Sequence, residues 1–138
     1  MKTCTITSGF SAIDFDAVTA LLQTTYWCKD TSKEDVILSA ENSALVIGAF
    51  NLDGAQVGYA RVVSDKVRLA YVMDVIVAEE YRHQGIASDM LRVILDQSEL
   101  QRVSHWLLAT KDAHPLYQTF GFDNLKYPGI MMELWKNK

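Results

Sequence analysis

The sequence predicts an α/β (α+β) fold, a mixed central β-sheet flanked by helices, with the element order β-α-α-β-β-β-α-β-α-β. Three observations carry this reading. RLAYVMDVIVA (68 to 78) is an almost unbroken apolar run, as expected of a strand covered on both faces. It is followed by a helical stripe and then by a second short apolar run, HWLLAT (105 to 110), which is the signature of a right-handed crossover between parallel strands. Ahead of it, SALVIGAF (43 to 50) and QVGYARVV (56 to 63) flank NLDG, a hairpin turn in which Gly54 accepts a positive φ.

The remaining elements follow in order. TCTIT (3 to 7) alternates weakly and reads as an edge strand. In DFDAVTALLQTTYW (14 to 27), Phe15, Val18, Leu21 and Leu22 recur at helical spacing behind a capping Asp14. Ser32 with Asp35 three residues on resembles a capping box, predicting a short helix over 33 to 42. After the central strand, Ile86, Met90, Leu91, Ile94 and Leu95 form one helix stripe. AHPLYQTFGF reads as a short helix with Pro115 in its first turn and Gly121 closing it. GIMMELWK (129 to 136) is expected to supply a last strand.

At 138 residues the chain suits one domain, residues 1 to 138, with a core of its own. Hydrophobic residues at 49% and charged ones at 22% are globular values, which speaks against disorder. A net charge of -4 argues against a nucleic-acid binder held by phosphate neutralisation. The N-terminus lacks an apolar stretch of signal-peptide length, and no apolar run approaches membrane-spanning length, so a cytoplasmic protein without a membrane partner is expected. Cys4 and Cys28 read as reduced structural thiols, and His83, His105 and His114 have no ligand spacing, so no metal is expected.

The junction EEYRHQGIASDML (79 to 91) raises the question of a ligand. A helix starting near Gly85 to Ala87 presents unpaired N–H groups at its positive end, and an anion there gains hydrogen bonds and a favourable dipole. Gly85 would let it approach closely, Arg82 adds a charge and Ser88 a hydroxyl. By itself a glycine before a helix is more often a turn. Neither the G-x-x-x-x-G-K-[ST] loop nor G-x-G-x-x-G is present.

Two motifs turn this into a family resemblance. Val75-Ile76-Val77 leads through Glu80-Tyr81 into Arg82-His83-Gln84-Gly85-Ile86-Ala87, and Ala113 through Leu116-Tyr117-Gln118-Thr119-Phe120-Gly121-Phe122 follows downstream. The first resembles the [QR]-x-x-G-x-[GA] pyrophosphate loop, and the second the final A-x-x-[LF]-Y-x-x-x-G-F segment, of the GCN5-related N-acetyltransferase (GNAT) superfamily. The element order agrees, so the resemblance covers nearly the whole chain, and Tyr26-Trp27 is similar to a subgroup of small bacterial members.

The resemblance implies acetyl-CoA as co-substrate and an amine as acceptor. The backbone of Val75, Ile76 and Val77 would pair with the pantetheine amides, and the diphosphate would sit on the amides of His83, Gln84, Gly85, Ile86, Ala87 and Ser88, with Arg82 adding charge. A backbone N–H near Val77 would face the thioester oxygen. Tyr117 would be the general acid for the leaving thiolate, its other reading being a core aromatic. Asp74, the one carboxylate inside the central apolar strand, would act as base or amine orienter, or serve a structural hydrogen bond; Tyr71 is the second candidate base. Strand alternation puts Asp74 on the face opposite Val75 and Val77, and a bulge could re-aim it. Where many members carry Asn, this chain has Thr110, still able to hydrogen-bond the cofactor; Asp112 is expected to cap the next helix, beside His114. Tyr26 and Trp27 would shape the acceptor cleft, with core packing as the alternative for Trp27. A degenerate acyl-CoA-binding sensor or interaction module stays open as a second function. The sequence leaves a homodimer open as well.

Overall fold

The computed structural model describes residues 4–136. Five strands form one sheet in sequential order: β1 (Cys4–Ser8), β2 (Leu45–Asn51), β3 (Gln56–Ser64), β4 (Leu69–Val77) and β5 (His105–Leu108). β1 to β4 are an antiparallel meander, and β5 joins β4 in parallel. Four α-helices accompany it: α1 (Phe15–Leu22), α2 (Lys33–Glu41), α3 (Ile86–Leu95) and α4 (His114–Gln118).

The local signals act as their chemistry requires. Asp14 Oδ1 accepts from the N–H groups of Asp16 and Ala17, and Ser32 Oγ accepts from that of Asp35, so both caps satisfy helix donors that would otherwise be orphaned. In the β2–β3 hairpin, Gly54 takes φ 87° while Asn51 Oδ1 accepts from Asp53 and Ala55. α4 ends in a left-handed Gly121, with Phe122 N–H reaching the Tyr117 carbonyl and Gly121 N–H that of Gln118, the pairing of a Schellman cap.

The helices lie on opposite faces. On one, Ile86, Met90, Leu91 and Ile94 of α3 pack with Ile47, Ala60, Val62, Ala70 and Val72 of the sheet and with Tyr117 of α4. Full burial of each aliphatic side chain on α3 stabilises the fold by about 1.5–3 kcal/mol, which fixes the crossover helix firmly on the strands. On the other face, Val18, Leu22, Val36 and Ala40 of α1 and α2 cover Val46, Tyr59 and Ile76. No helix among the described residues is long and apolar enough to cross a membrane.

One expectation fails. GIMMELWK was expected as a last strand, yet Pro128–Ile130 form a 3-10 turn and residues 131–136 are not a strand. A strand exists only through hydrogen bonds to a neighbour, and here the segment meets no sheet edge. Of the first predicted strand, Thr3 lies outside the described residues.

Candidate functional site

The centre of interest is the second half of β4. Its pairing with β5 runs only from Leu69 opposite His105 to Val72 opposite Leu108, because β5 ends there. From Met73 to Val77 that side of β4 has no strand neighbour, so a wedge opens between the two strands. Which backbone groups face the wedge follows from one hydrogen bond. Ala78 N–H donates to the Val57 carbonyl on the β3 side, so by strand alternation Val77 and Val75 point their N–H and C=O groups the other way, into the opening. Ile76, expected on the same edge, turns its backbone toward β3 instead, its carbonyl lying where a side chain on Gly58 would stand.

A bulge sits at the mouth of this wedge. Tyr59 opposes Ile76 and Arg61 opposes Met73, so Ala60 alone stands against both Asp74 and Val75. Asp74 takes up the extra residue with φ 56°, a left-handed conformation that few non-glycine residues adopt. The bulge also exchanges faces: Ala70 and Val72 pack on the α3 side before it, and Val75 and Val77 pack there after it. Asp74 is left on the α1 side, opposite Val75 and Val77 as alternation predicted.

There its carboxylate is held from two directions. Arg61 Nε donates to Oδ2 at 2.7 Å, with the two side chains only 12% and 8% exposed, and Trp27 Nε1 donates to Oδ1 at 3.3 Å. Trp27 is therefore not a core residue; it is 48% exposed and ties the segment after α1 to the bulge. Tyr26 stacks edge-on against it at 5.2 Å, and the ammonium of Lys111 lies 5.0 Å above the Tyr26 ring. Lys111 belongs to the loop after β5, so this chain of contacts crosses the wedge and walls its open end. Cys28 stands close by, its thiol pushed up mainly by burial and further by the Asp74 charge, which keeps it protonated and unsuited to act as a nucleophile. Beneath the bulge, Tyr59 is fully buried with a hydroxyl that finds no partner among the described residues, and burial pushes its pKa well above the usual tyrosine range.

The start of α3 supplies the second half of the site. Gly85 has φ 81° and His83 φ 64°, so left-handed residues alternate through the loop and turn its N–H groups toward one concave side. The first helical bond is from Asp89 N–H to the Gly85 carbonyl, leaving the N–H groups of Ile86, Ala87 and Ser88 without helical partners. A Cβ on Gly85 would meet open space, so nothing in the chain fills the approach to this loop. Arg82 Nε donates to the Val77 carbonyl at 3.1 Å, which plants the guanidinium between the wedge and the loop with its terminal nitrogens still available. An extended amide ligand in the wedge and an anionic group on the loop would thus form one continuous footprint.

Tyr117 lies on the α3 side with Val75 and Val77, is 8% exposed and meets Phe122 edge-on at 6.1 Å. Burial raises its pKa, so it holds a proton at neutral pH. It also lines a cavity of about 670 Å³ together with Leu95, β5, Thr110, His114 and residues 120–126. No residue of β4 lines that cavity, so it opens on the edge of β5 that lacks a neighbour. Asp74 and Tyr117 therefore stand on opposite faces of the sheet, with the wedge between them. Thr110 Oγ1 accepts from Ala113 N–H at 3.1 Å and so starts α4. Asp112, expected as that cap, makes no capping bond: Ala113 holds the N-cap position of α4, which no side chain caps. Tyr71 is half-buried on β4 opposite Leu107, in the paired part of the strand and away from the wedge.

Sequence reasoning missed Arg61 and Lys111. A signal for Arg61 was present: QVGYARVV and VMDVIV each carry one charge of opposite sign inside an apolar run, and adjacent strands can pair such charges. Lys111 had no comparable signal, since its partner ring is remote in sequence. Among the described residues no group of three or more His, Cys, Asp or Glu side chains could hold a metal ion.

Comparison with known proteins is consistent with this geometry. Residues 15–122 match the model of the Acetyltransferase (GNAT) family. A structure from Xanthomonas campestris pv. campestris, described as belonging to the GNAT family, shares 33% identity with a TM-score of 0.89, covering 99% of this chain and 95% of that one. A GNAT family protein from Streptococcus pneumoniae superposes with a TM-score of 0.75 at 24% identity, covering 98% of each chain. A Clostridium acetobutylicum protein solved with acetyl-CoA has the same fold, with a TM-score of 0.70 at 13% identity and 95% of each chain covered. No curated protein matches the sequence.

Proposed function

We propose that this chain, which belongs to the acetyltransferase (GNAT) family, transfers the acetyl group of acetyl-CoA to a primary amine, which attacks it directly in a ternary complex. The observation that carries the reading is the wedge. Val75 and Val77 aim backbone groups that have no strand partner into a gap that leads, past Arg82 on the Val77 carbonyl, to the N–H groups of α3 without helical partners. Those groups suit a ligand that is amide-rich at one end and diphosphate at the other, with the pantetheine arm pairing like an added strand. His83 and Gln84 contribute through their place in the loop backbone, Ser88 through its hydroxyl and N–H, and Thr110 from the opposite bank.

The bound thioester supplies the electrophile. The Val77 N–H, already oriented into the wedge, donates to its carbonyl oxygen as charge develops, with no reorganisation cost. Tyr117 holds the proton that the departing thiolate needs, since burial keeps its phenol neutral. Asp74, flanked by Trp27 and with Tyr26 next to it, orients the amine at the opposite bank and takes its proton directly or through water.

A second reading is favoured by one observation. Asp74 is already committed to Arg61 at 2.7 Å, which is the arrangement of a structural ion pair, so the chain could instead bind acyl-CoA as a sensor without turnover. The test is a coenzyme-release screen over polyamines, amino acids, aminoglycosides and peptides, run beside Tyr117→Phe. An accepted amine, with turnover reduced at least about tenfold in the variant and acetyl-CoA affinity retained, supports the enzyme and its acid. Tight acetyl-CoA binding with no turnover on any amine supports the sensor. Unchanged turnover in Tyr117→Phe would sink the acid assignment.

A further inference from the structure

The N–H groups at the start of α3 are reached through a short exposed loop. Residues 82–85 are exposed, while Ile86 after them is buried in the core. Four exposed residues therefore run between two anchors, Tyr81 and Ile86, and the place of Tyr81 decides the shape of the loop. Tyr81 ends the 3-10 turn Glu79–Tyr81 and packs against the core of the α3 face. Apolar packing is non-directional, so the ring takes its direction from its hydroxyl, which accepts from Asn51 Nδ2 at 3.0 Å. Asn51 closes β2, 30 residues earlier. Its amide cannot turn over. Oδ1 accepts from the N–H groups of Asp53 and Ala55 at 3.0 and 2.9 Å, and a turned amide would set its own N–H groups against those two donors. The β2–β3 turn thus aims the Asn51 amide nitrogen at Tyr81.

We infer that Asn51 is a positioning residue for the co-substrate: through the Tyr81 hydroxyl it holds the loop over 82–88 in the shape that receives the diphosphate. The inference deepens the acetyl-CoA reading above and rests on it. Neither side chain touches the ligand in this arrangement. The β2–β3 hairpin holds the approach to the loop at two points, since Ala78 N–H donates to the Val57 carbonyl of β3 at 2.7 Å while Asn51 reaches Tyr81 from β2. The first point fixes where the chain leaves β4, and the second fixes where it enters the loop. The turn itself uses only the side-chain oxygen of Asn51; the amide nitrogen serves Tyr81. Without that bond the loop keeps its glycine and Arg82, but only a fraction of the molecules hold it ready for the ligand. The apparent affinity then falls by that fraction.

The test is isothermal calorimetry with acetyl-CoA on the full-length parent, Tyr81→Phe, Asn51→Ser and the double variant. Tyr81→Phe keeps the packed ring and removes the bond; Asn51→Ser removes it from the other side and leaves a hydroxyl able to accept in the turn. Each should raise the dissociation constant about three- to tenfold, the span of one net hydrogen bond. The double variant should raise it no further than Asn51→Ser alone, because both changes delete the same bond. Amide exchange of the ligand-free protein gives an independent readout. The Asp89 N–H, whose bond to the Gly85 carbonyl closes the loop at 3.0 Å, should exchange at least about threefold faster in both single variants. A bond that served the fold alone would lower Tm and leave the dissociation constant where it was. If the parent binds acetyl-CoA and Tyr81→Phe binds it equally well, if the two effects multiply in the double variant, or if Asp89 exchanges unchanged, Asn51 has no positioning role. A parent chain that binds no acetyl-CoA would remove the co-substrate reading itself, and this inference with it.

Discussion

Replacing Asp74 by Asn removes one negative charge from a nearly buried pair while preserving its shape. The amide oxygen still accepts from Arg61 or Trp27, and Asn tolerates the left-handed φ of 56° better than other non-glycine residues, so neither packing nor backbone strain changes much. What is lost is the attraction. Two unit charges about 4 Å apart at an effective dielectric of about 20 attract by about 4 kcal/mol, and breaking a buried pair costs about 3–5 kcal/mol because the survivor is left uncompensated. Arg61 keeps a long contact to Ser43 Oγ at 3.4 Å and some solvent, which brings the expected loss to or just below the low end of that range, about 2–3 kcal/mol. For a chain of this size that is a fall of about 8 °C in Tm. Arg61→Met should cost a similar amount by stranding the carboxylate. The double variant should recover about 2 kcal/mol relative to the sum of the singles, because both charges are then gone. Urea unfolding of the four proteins measures the cycle. Strictly additive losses would refute the pairing as the structure draws it. Activity on the same set separates the roles: if the double variant regains stability and not turnover, Asp74 acts on the acceptor as well as on Arg61.

Two further outcomes are expected. Gly85→Glu should raise the acetyl-CoA dissociation constant by at least about tenfold in calorimetry while leaving the fold intact, since its side chain meets open space but adds negative charge at the loop proposed to hold the diphosphate and strains a φ of 81°; unchanged affinity would remove the loop from the site. Tyr59→Phe should stabilise the protein by about 1 kcal/mol at pH 7, because the deleted hydroxyl is buried without a partner. The pH dependence has a definite sign. Tyr59 holds its proton to higher pH when folded than when unfolded, so its contribution is intact below about pH 10 and is lost as pH rises beyond that; the Phe variant should show a shallower alkaline decline in urea titrations. A variant less stable than the parent at pH 7 would mean that the hydroxyl has a partner.

Much of this was legible in one dimension because its causes are local. Asp14, Ser32, Gly54 and Gly121 each act on groups within a few residues, so cap, turn and helix stop could be read directly. The stripe of α3 and the apolar run of β4 report their own burial through periodicity. The loop at Gly85 was legible for the same reason, since a glycine that takes positive φ immediately before a helix determines where the free N–H groups lie. GIMMELWK shows the limit of such reading. Its pattern is that of a strand, but a strand's hydrogen bonds belong to two segments, and the pattern cannot say where the second one is.

The sequence by itself determined the order of elements as far as α4, the two motifs and the place of the turn at Gly85, all of them set by neighbours along the chain. Only the tertiary structure decided what Asp74 does. The bulge arises from the register of β4 against β3, the partner Arg61 comes from across that pairing, and Trp27 arrives from the turn after α1, 47 residues earlier. It likewise decided that β5 stops at Leu108 and so opens the wedge. Those are contacts between remote segments, and their energies depend on distances that no spacing along the chain encodes.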